Sequence, residues 1–280
     1  MTEDLDALAA LAAEAARAGG ASLLAHRANL RALRTESKNV PRELVTQADR
    51  AAEDIVVGTL IKARPEDAVL AEEGIHTEAD QRSSDARLCW VVDPLDGTTN
   101  FVHGLPNFCV AVALVERDQE GIEQPLVACV HAPAIGTTYT AARGRGAFRD
   151  GRRLSVSRCG RVSDGLLATG FSYQRNHPEV DDNVDRMARA LHACRDIRRY
   201  GSAELDLCWV GEGIWDGYWE MGLKPYDVAA GTLVVREAGG RVTDLDLGED
   251  WLHGRNILAT NGPIHEELHS LVGGVPDAPG

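Results

Sequence analysis

The segment WVVDPLDGTTNF, residues 90–101, decides how the rest of the chain is interpreted. It begins as an apolar strand that ends at Asp93, and Pro94 is expected to stop strand pairing because proline has no N–H to donate. Asp96 follows three residues after Asp93, so a tight turn can direct both carboxylates at one point. The Leu95 carbonyl between them would be released from strand pairing and become a third oxygen ligand.

The residues that follow this turn predict an anion cradle. Gly97 allows close backbone approach, and the amides of Thr98, Thr99 and Asn100 can open a helix or form a nest that binds an anion. Carboxylates beside such a cradle require a divalent cation between them, and oxygen-only ligands indicate Mg²⁺. Asp, Pro and Gly also occur in ordinary surface turns, but the apolar strand before them and the Thr-Thr-Asn run favour a site.

Three further acids lie in contexts compatible with the same site, although each has a structural alternative. Glu72 ends the apolar run AVLAE as Asp93 ends its own, so both could lie at one sheet edge; it could equally be a solvated strand-end charge. Asp227 is placed at a helix N-terminus, where N-capping alone would explain it. Asp49 could be a first-turn helix acid stabilised by the helix dipole. The five acids together, and no single one, indicate a site.

The first half of the chain predicts two helical segments and a largely antiparallel sheet. Residues 4–34 form one long helix or two helices broken at Gly19-Gly20, and 49–62 form another, with Thr46 as a possible N-cap and an end before Pro65. Short apolar runs separated by turns predict strands. These runs are AVLAEE (68–73), LCWVVD (88–93), FCVAVALVE (108–116), LVACVHA (126–132) and TTYTAA (137–142), followed by the turn signal Asp150-Gly151.

In the second half strands and helices alternate, which predicts an α/β layer. We place the boundary near residue 155, giving an N-terminal α+β half over 1–155 with most of the acids and a C-terminal α/β half over 156–280. The predicted strands are 166–171, 196–200, 217–221, 241–245 and 256–260, and the predicted helices are 178–194, 203–210, 227–238 and 263–271.

Composition limits the function classes. The net charge is −14, from 43 acidic and 29 basic residues, which argues against a nucleic-acid groove because such grooves need a basic stripe. It does not exclude a phosphorylated substrate, since bound cations can invert the charge of an acidic site. The six cysteines form no C-x-x-C pair, and no stretch reaches the ~20 apolar residues of a membrane span. We therefore expect a cytoplasmic protein with no membrane partner.

Four other patterns carry less weight. His265–His269 matches H-E-x-x-H, but only Asp277 follows as a third zinc ligand, so an exposed helix is favoured. The run 144–149 ends in Arg149 where G-x-G-x-x-G needs glycine. Asp244, Asp246 and Asp250 resemble a calcium loop, but glycine occupies its fifth position, so a solvated loop is favoured. The WDGYW cluster, 215–219, indicates core or interface.

Taken together, the motifs resemble the inositol monophosphatase family, within the lithium-sensitive, metal-dependent phosphatases. The resemblance runs over nearly the whole chain. It rests on LVTQAD with Thr46 and Asp49, AEEG with Glu72, DPLDGTT (93–99), RRYGSAELD with Gly201, Ser202 and Ala203, and WEMGLKPYDVAAG with Glu220 and Asp227. It implies a layered α-β-α-β-α sandwich of the inositol monophosphatase/fructose-1,6-bisphosphatase type.

The resemblance also implies roles for individual residues. Two or three Mg²⁺ ions would be held by Glu72, Asp93, the Leu95 carbonyl, Asp96 and Asp227. Thr98, hydrogen-bonded to Asp49, would orient the attacking water and accept its proton, and the Gly97 and Thr98 amides would hold the phosphate. The polyol would contact Gly201, Ser202, Ala203 and Glu220, while Lys38 matches a family lysine near a metal.

The activity implied is Mg²⁺-dependent hydrolysis of a small polyol phosphate, with myo-inositol monophosphate the leading substrate. Family resemblance further implies a homodimer and inhibition by lithium. Histidinol phosphate and fructose 1,6-bisphosphate remain alternative substrates. A non-catalytic regulator on the same fold, binding a protein or RNA partner, is an alternative from another class, which the acidic charge and the intact set of acids disfavour.

Overall fold

The structure is a computed structural model that describes residues 3–28, 30, 35–37, 44–74, 86–177 and 180–274. Within these residues the chain forms seven α-helices and fourteen strands. The helices are α1 (Leu5–Arg27), α2 (Gln47–Ala63), α3 (Thr98–Val102), α4 (Val184–Ala193), α5 (Ala203–Gly211), α6 (Ala229–Glu237) and α7 (His265–Val272). Strands β1 to β7 are Thr35–Ser37, Leu44–Thr46, Ala68–Ala71, Leu88–Asp96, Cys109–Arg117, Glu123–Ala132 and Thr137–Ala142. Strands β8 to β14 are Gly146–Arg149, Arg152–Arg153, Leu166–Thr169, Asp196–Arg198, Gly217–Met221, Arg241–Thr243 and Asn256–Thr260.

The first half forms the predicted, largely antiparallel sheet. Its seven strands run in the order β3-β4-β5-β6-β7-β8-β9, and only β3 and β4 are parallel. The turn signal Asp150-Gly151 joins β8 to β9, with both residues at positive φ (49° and 81°), as a two-residue hairpin of right-twisted strands requires.

Both faces of this sheet are buried. On β5, Val110, Val112 and Leu114 pack in the core beneath α1 and α2. The alternate positions, including Ala111 and Ala113, face the core shared with α5 and α6. Because both faces are buried, the sequences of these strands are continuously apolar and do not alternate between polar and apolar residues.

Helix α1 is continuous through Gly19-Gly20, so the glycines do not break it. A Cβ on Gly19 would lie 2.6 Å from Val56 of α2, and one on Gly20 would lie 2.6 Å from the His131 ring of β6. The two glycines therefore allow α1 to pack closely against α2 and β6. By length and composition α1 could cross a membrane, but its Ala and Leu stripe is buried against α2 and the sheet.

The second half forms a five-stranded mixed sheet in the order β11-β10-β12-β14-β13. Helices α5 and α6 fill the space between the two sheets, while α4 and α7 cover the outer face of the second sheet around Leu167, Trp219 and Leu258. The layers are therefore α, β, α, β, α, which confirms the predicted fold class. The boundary that we predict near residue 155 falls just after β9 and stays a prediction.

Several elements differ from their predicted bounds. Helix α1 ends at Arg27 and not at residue 34, and α4 begins at Val184 instead of 178, where 178 and 179 lie outside the described residues. The antiparallel pair β1–β2 was not predicted. Thr46 caps α2 as expected, accepting from the Ala48 N–H at 3.0 Å.

Candidate active site

The turn predicted at Asp93–Asp96 is a bulge within β4 that keeps the strand intact. Asp93 pairs with Ala111 and Asp96 with Cys109, so β4 carries one extra residue between these pairs. Pro94 lies in the bulge and does not end the strand, which corrects the prediction, because its missing N–H falls where the ladder is interrupted. The Leu95 N–H donates to Asp93 Oδ1 at 2.9 Å, which fixes the first carboxylate against its own turn.

Gly97 links this bulge to the short helix α3. Its φ is +92°, and a Cβ there would lie 2.8 Å from the Asn107 carbonyl oxygen, so only glycine fits without strain. The N–H groups of the first turn of α3 therefore lie directly beside the carboxylates. The predicted anion cradle is formed by this helix and not by an isolated nest.

Asp96 connects the two halves of the chain. Its Oδ2 accepts from the Ser202 hydroxyl at 2.6 Å and from the Glu204 N–H at 2.8 Å, and its Oδ1 accepts from the Ala203 N–H at 3.2 Å. The Cys109 thiol, behind it, donates to Oδ2 at 3.6 Å. A carboxylate from the first half thus caps the N-terminus of α5 in the second half. This contact brings residues 201–203 to the bulge at 93–96, which we call the acidic turn.

Asp227 does not open a helix, which corrects the prediction that a helix begins there. It closes a 3₁₀ turn (Pro225–Asp227) and accepts from the Lys224 N–H at 2.6 Å. Helix α6 begins at Ala229, and Glu204 caps it by accepting from the Ala230 and Gly231 N–H groups. Sequence reasoning missed Glu204, because it lies 26 residues before the Ala230 amide that it caps and belongs to another helix.

Glu72 lies beside Asp93 because β3 and β4 are parallel neighbours. The Glu72 N–H donates to the Val92 carbonyl at 3.2 Å, so both acids leave the sheet at one edge, as their sequence contexts suggested. The two carboxylates are close enough that the charge of Glu72 raises the pKa of Asp93.

Asp49 and Thr98 adjoin this cluster. The Thr98 hydroxyl lies 3.2 Å from Asp49 Oδ1 and 3.1 Å from the Leu95 carbonyl oxygen. Asp49 Oδ2 accepts from the backbone N–H and the hydroxyl of Thr46, at 2.9 and 2.5 Å. Burial raises the pKa of Asp49 to about 6, despite the hydrogen bonds from Thr46, which lower it.

The electrostatics of the cluster favour a cation. Burial raises the pKa of Asp93 well above its usual range, and the charges of Glu72, Asp96 and Asp227 raise it further. Burial and the charge of Glu72 likewise raise the pKa of Asp227. Carboxylates that repel one another in a buried pocket are stabilised when a divalent ion lies between them.

The donor set fits magnesium bound in an open site. Among the described residues no group of three or more His, Cys, Asp or Glu side chains is already arranged to hold a metal ion. Mg²⁺ is usually held by one or two carboxylates, with water and phosphate oxygens completing the octahedron. Carboxylate oxygens from Glu72, Asp93 and Asp227 in one pocket suit that pattern.

These residues line a single cavity of about 170 Å³ at the junction of the two sheets. Within it the structure brings together Glu72, Asp93, Leu95, Asp96, Gly97, Thr98, Gly201, Ser202, Ala203, Glu220 and Asp227, and Asp49 lies behind Thr98. Of the residues predicted for this site, only Lys38 lies outside the described part of the chain.

The far wall of the cavity is formed by β12 and the loop before α5. Glu220 accepts from the Tyr218 hydroxyl at 2.6 Å, and burial raises its pKa to about 7. Asn100 donates to the Tyr200 carbonyl and to the Asn107 carbonyl, both at 2.7 Å, which ties the loop to α3. Sequence reasoning assigned Asn100 no such function, and only its place in the Thr-Thr-Asn run could have indicated it.

The patterns given less weight have structural explanations. His265 is buried, not exposed as expected, and its two ring nitrogens lie 2.9 and 3.0 Å from the hydroxyls of Thr260 and Thr243, which leaves neither for zinc. Asp244 accepts from three amides of its own loop instead of being solvated. Trp215 and Trp219 are buried in the core. Asp277 lies outside the described residues.

Comparison with known proteins agrees with this geometry. The model of the inositol monophosphatase family matches residues 4–275. The chain is 38% identical over 273 residues to the inositol-1-monophosphatase of Synechocystis sp., covering 98% of this chain and 91% of that one. It is 40% identical over 263 residues to the Nus factor SuhB of Pseudomonas aeruginosa, covering 94% of each.

A solved structure gives the same result. The extragenic suppressor protein suhB from Bartonella henselae superimposes with a TM-score of 0.86 at 37% identity, covering 95% of this chain and 98% of that one.

Proposed function

This chain belongs to the inositol monophosphatase family and is a phosphoric monoester hydrolase, and we propose that it hydrolyses myo-inositol monophosphate to inositol and phosphate with Mg²⁺. The observation that carries the proposal is the convergence of carboxylates from both halves of the chain beside an anion cradle. Histidinol phosphate and fructose 1,6-bisphosphate remain alternative substrates.

We propose that the carboxylates at the acidic end of the cavity would hold the metal. The proposed ligands are Glu72, Asp93, the Leu95 carbonyl, Asp96 and Asp227. When bound, two or three Mg²⁺ ions would neutralise phosphate oxygens, lower the pKa of a water and stabilise the leaving alkoxide.

The residues of the chain would supply orientation and proton transfer. Thr98 can donate its hydroxyl proton to Asp49, which leaves the Thr98 oxygen free to accept a hydrogen bond from the attacking water. As the water attacks phosphorus, its proton would pass to Thr98 and that of Thr98 to Asp49. The amides of Gly97 and Thr98 would hold the phosphate, because they open α3 at the acidic turn.

The polyol would lie against the far wall. The Glu220 carboxylate can accept from ring hydroxyls, and residues 201–203 approach the same space because Asp96 caps α5. A small ring suits a cavity of this size.

Phosphate release from a panel of monoesters, with Mg²⁺ and with EDTA, tests the proposal. We expect release from myo-inositol 1-phosphate only with Mg²⁺, and a fall of at least ~100-fold for Asp93→Asn. The fold should survive, because an Asn oxygen can still accept from the Leu95 N–H. Exposed Asp185→Asn is the matched control. If Asp93→Asn keeps the wild-type rate at saturating Mg²⁺, Asp93 is not a metal ligand.

A second role is favoured by the names of the relatives. The Pseudomonas aeruginosa and Vibrio cholerae proteins, 40% and 38% identical, are named Nus factor SuhB. A regulatory binding role would use a surface and not the cavity. An Asp93→Asn variant that loses phosphatase activity but complements deletion of the chromosomal gene would support this role; failure to complement would tie the cellular role to catalysis.

A further inference from the structure

The carboxylate of Glu220 lies directly over a glycine of the neighbouring strand. Gly170 follows the last residue of β10 and is buried. A Cβ on Gly170 would lie 1.8 Å from Glu220 Oε2 and 2.1 Å from Glu220 Cδ. Because non-bonded carbon atoms stay about 3.5–4 Å apart, no side chain can be added at 170 while the Glu220 carboxylate keeps its position.

The pairing of β10 with β12 brings these two residues together. The strands are parallel neighbours in which Ala168 is paired with Tyr218, and both of these residues face the core between the two sheets. Gly170 and Glu220 lie two residues further along their strands and therefore point to the same face. A side chain at 170 would project into the space that the Glu220 carboxylate occupies.

The backbone is held in place at both positions. Glu220 is paired with Ile257 of β14 on the side away from β10. The Gly170 carbonyl accepts from Asn183 Nδ2 at 2.7 Å, and Asn183 Oδ1 accepts from the indole N–H of Trp219 at 2.7 Å. Asn183 is 1% exposed, so water does not compete for these bonds. A side chain at 170 would therefore displace the Glu220 carboxylate before it separated the strands.

The space over Gly170 determines where the Glu220 carboxylate faces the ligand. Glu220 lines the cavity, and the Tyr218 hydroxyl donates to its Oε2 at 2.6 Å, which leaves Oε1 to accept from a polyol hydroxyl. Glutamate has several rotatable bonds. A carboxylate excluded from this space would take another rotamer, and its alignment with the polyol would be lost.

We propose that Gly170 is a specificity-determining residue, because its missing side chain leaves the space from which Glu220 binds the hydroxyl groups of the substrate. Asn183 is a positioning residue that holds the Gly170 carbonyl. The inference rests on the proposed function and deepens it. A larger residue at 170 would weaken the selection of polyol phosphates over phosphate esters that carry no hydroxyl group.

The test compares myo-inositol 1-phosphate with p-nitrophenyl phosphate, whose ring carries no hydroxyl group, using the full-length protein and Mg²⁺. For Gly170→Ala we expect the ratio of kcat/KM, inositol ester over aryl ester, to fall about 10- to 100-fold, the range of a lost hydrogen bond to a charged group. The loss should appear mainly in KM for the inositol ester, since the hydroxyl groups bound by Glu220 do not react.

A control variant and a double-mutant cycle make the result specific. Gly160→Ala is the matched control, because a Cβ there has no atom within 4 Å, and it should leave the ratio unchanged. Glu220→Ala alone should lower the ratio. Gly170→Ala added to Glu220→Ala should lower it no further, because no carboxylate remains to be displaced.

Asn183→Gly is a second variant that adds no side chain at 170. It frees the Gly170 carbonyl, and glycine accepts the φ of +67° found at 183, so the same ratio should fall even if Gly170→Ala does not fold. A wild-type ratio in the folded variants would overturn the inference, as would a loss from Gly170→Ala that is equally large without the Glu220 carboxylate. If no ester releases phosphate with Mg²⁺, the proposed function itself fails, so the two failures are distinguishable.

Discussion

Asp49 uses its two carboxylate oxygens for different tasks. Oδ2 completes the capping box of α2 with Thr46, and Oδ1 faces the Thr98 hydroxyl. Sequence reasoning left two interpretations open, a first-turn helix acid or a catalytic partner. The structure shows that the contacts of both are compatible, because one oxygen suffices for the cap and leaves the other free.

Asp49→Asn should separate these tasks. We expect kcat to fall about 100-fold, because an amide cannot accept the proton passed through Thr98. In the wild type, kcat should fall at acid pH, where Asp49 becomes protonated, since burial raises the pKa of this carboxyl. This fall at low pH, the acid limb of a plot of kcat against pH at saturating Mg²⁺, should be absent from the residual activity of Asp49→Asn. Thr46→Ala, which removes the cap and costs about 1 kcal/mol of stability, should keep the limb. A limb that persists in Asp49→Asn would show that another group is the proton acceptor.

Helix α6 shows which capping contacts a sequence pattern can reveal. Thr46 was predicted because it directly precedes α2, and local patterns detect such caps. The cap of α6 comes from Glu204, whose carboxylate reaches the Ala230 and Gly231 amides only because α5 and α6 pack together. Asp227 was therefore assigned the wrong local role, although its place in the cavity was predicted.

The glycines of the first two helices give a matched pair for a stability prediction. Gly19→Ala places a Cβ 2.6 Å from Val56, whereas Gly58→Ala in α2 places one where no atom lies within 4 Å. Alanine favours a helix by ~1 kcal/mol over glycine, so Gly58→Ala should raise Tm. Gly19→Ala should lower it, since overpacking costs about 1–3 kcal/mol. Thermal unfolding by circular dichroism measures both. Equal shifts would show that the α1–α2 contact has room for a methyl group.

The order of the layers could be predicted only in part. Apolar runs such as 108–116 and 126–132 indicate buried strands because both faces of the first sheet are covered. The insertion of α5 and α6 between two sheets follows from no local pattern, and it was expected only through the family resemblance. The cavity depends on that insertion, since Asp96 meets Ser202 across 106 residues.

The buried acids predict how stability of the whole protein depends on pH. Burial raises the pKa of Asp49 to about 6 and of Glu220 to about 7, so the folded state binds their protons more tightly than the unfolded chain does. Stability from these groups is therefore greatest at low pH and is lost as the pH rises through the window from about 4 to 7. Asp49, fully buried, would account for about 3 kcal/mol across its part of that window.

In EDTA we therefore expect Tm to fall by roughly 5–10 °C between pH 5 and pH 8. Saturating Mg²⁺ should reverse most of this fall above pH 6, because it binds the ionised carboxylates of the folded state only. Scanning calorimetry at each pH, with and without Mg²⁺, measures both effects. Asp93→Asn removes one of the mutually repelling charges, so its Tm in EDTA should depend less on pH and respond less to Mg²⁺. A wild-type Tm in EDTA that stays level or rises from pH 5 to pH 8 would mean that the acidic cavity is already neutralised by groups of the protein itself, and magnesium would then not be needed to stabilise it.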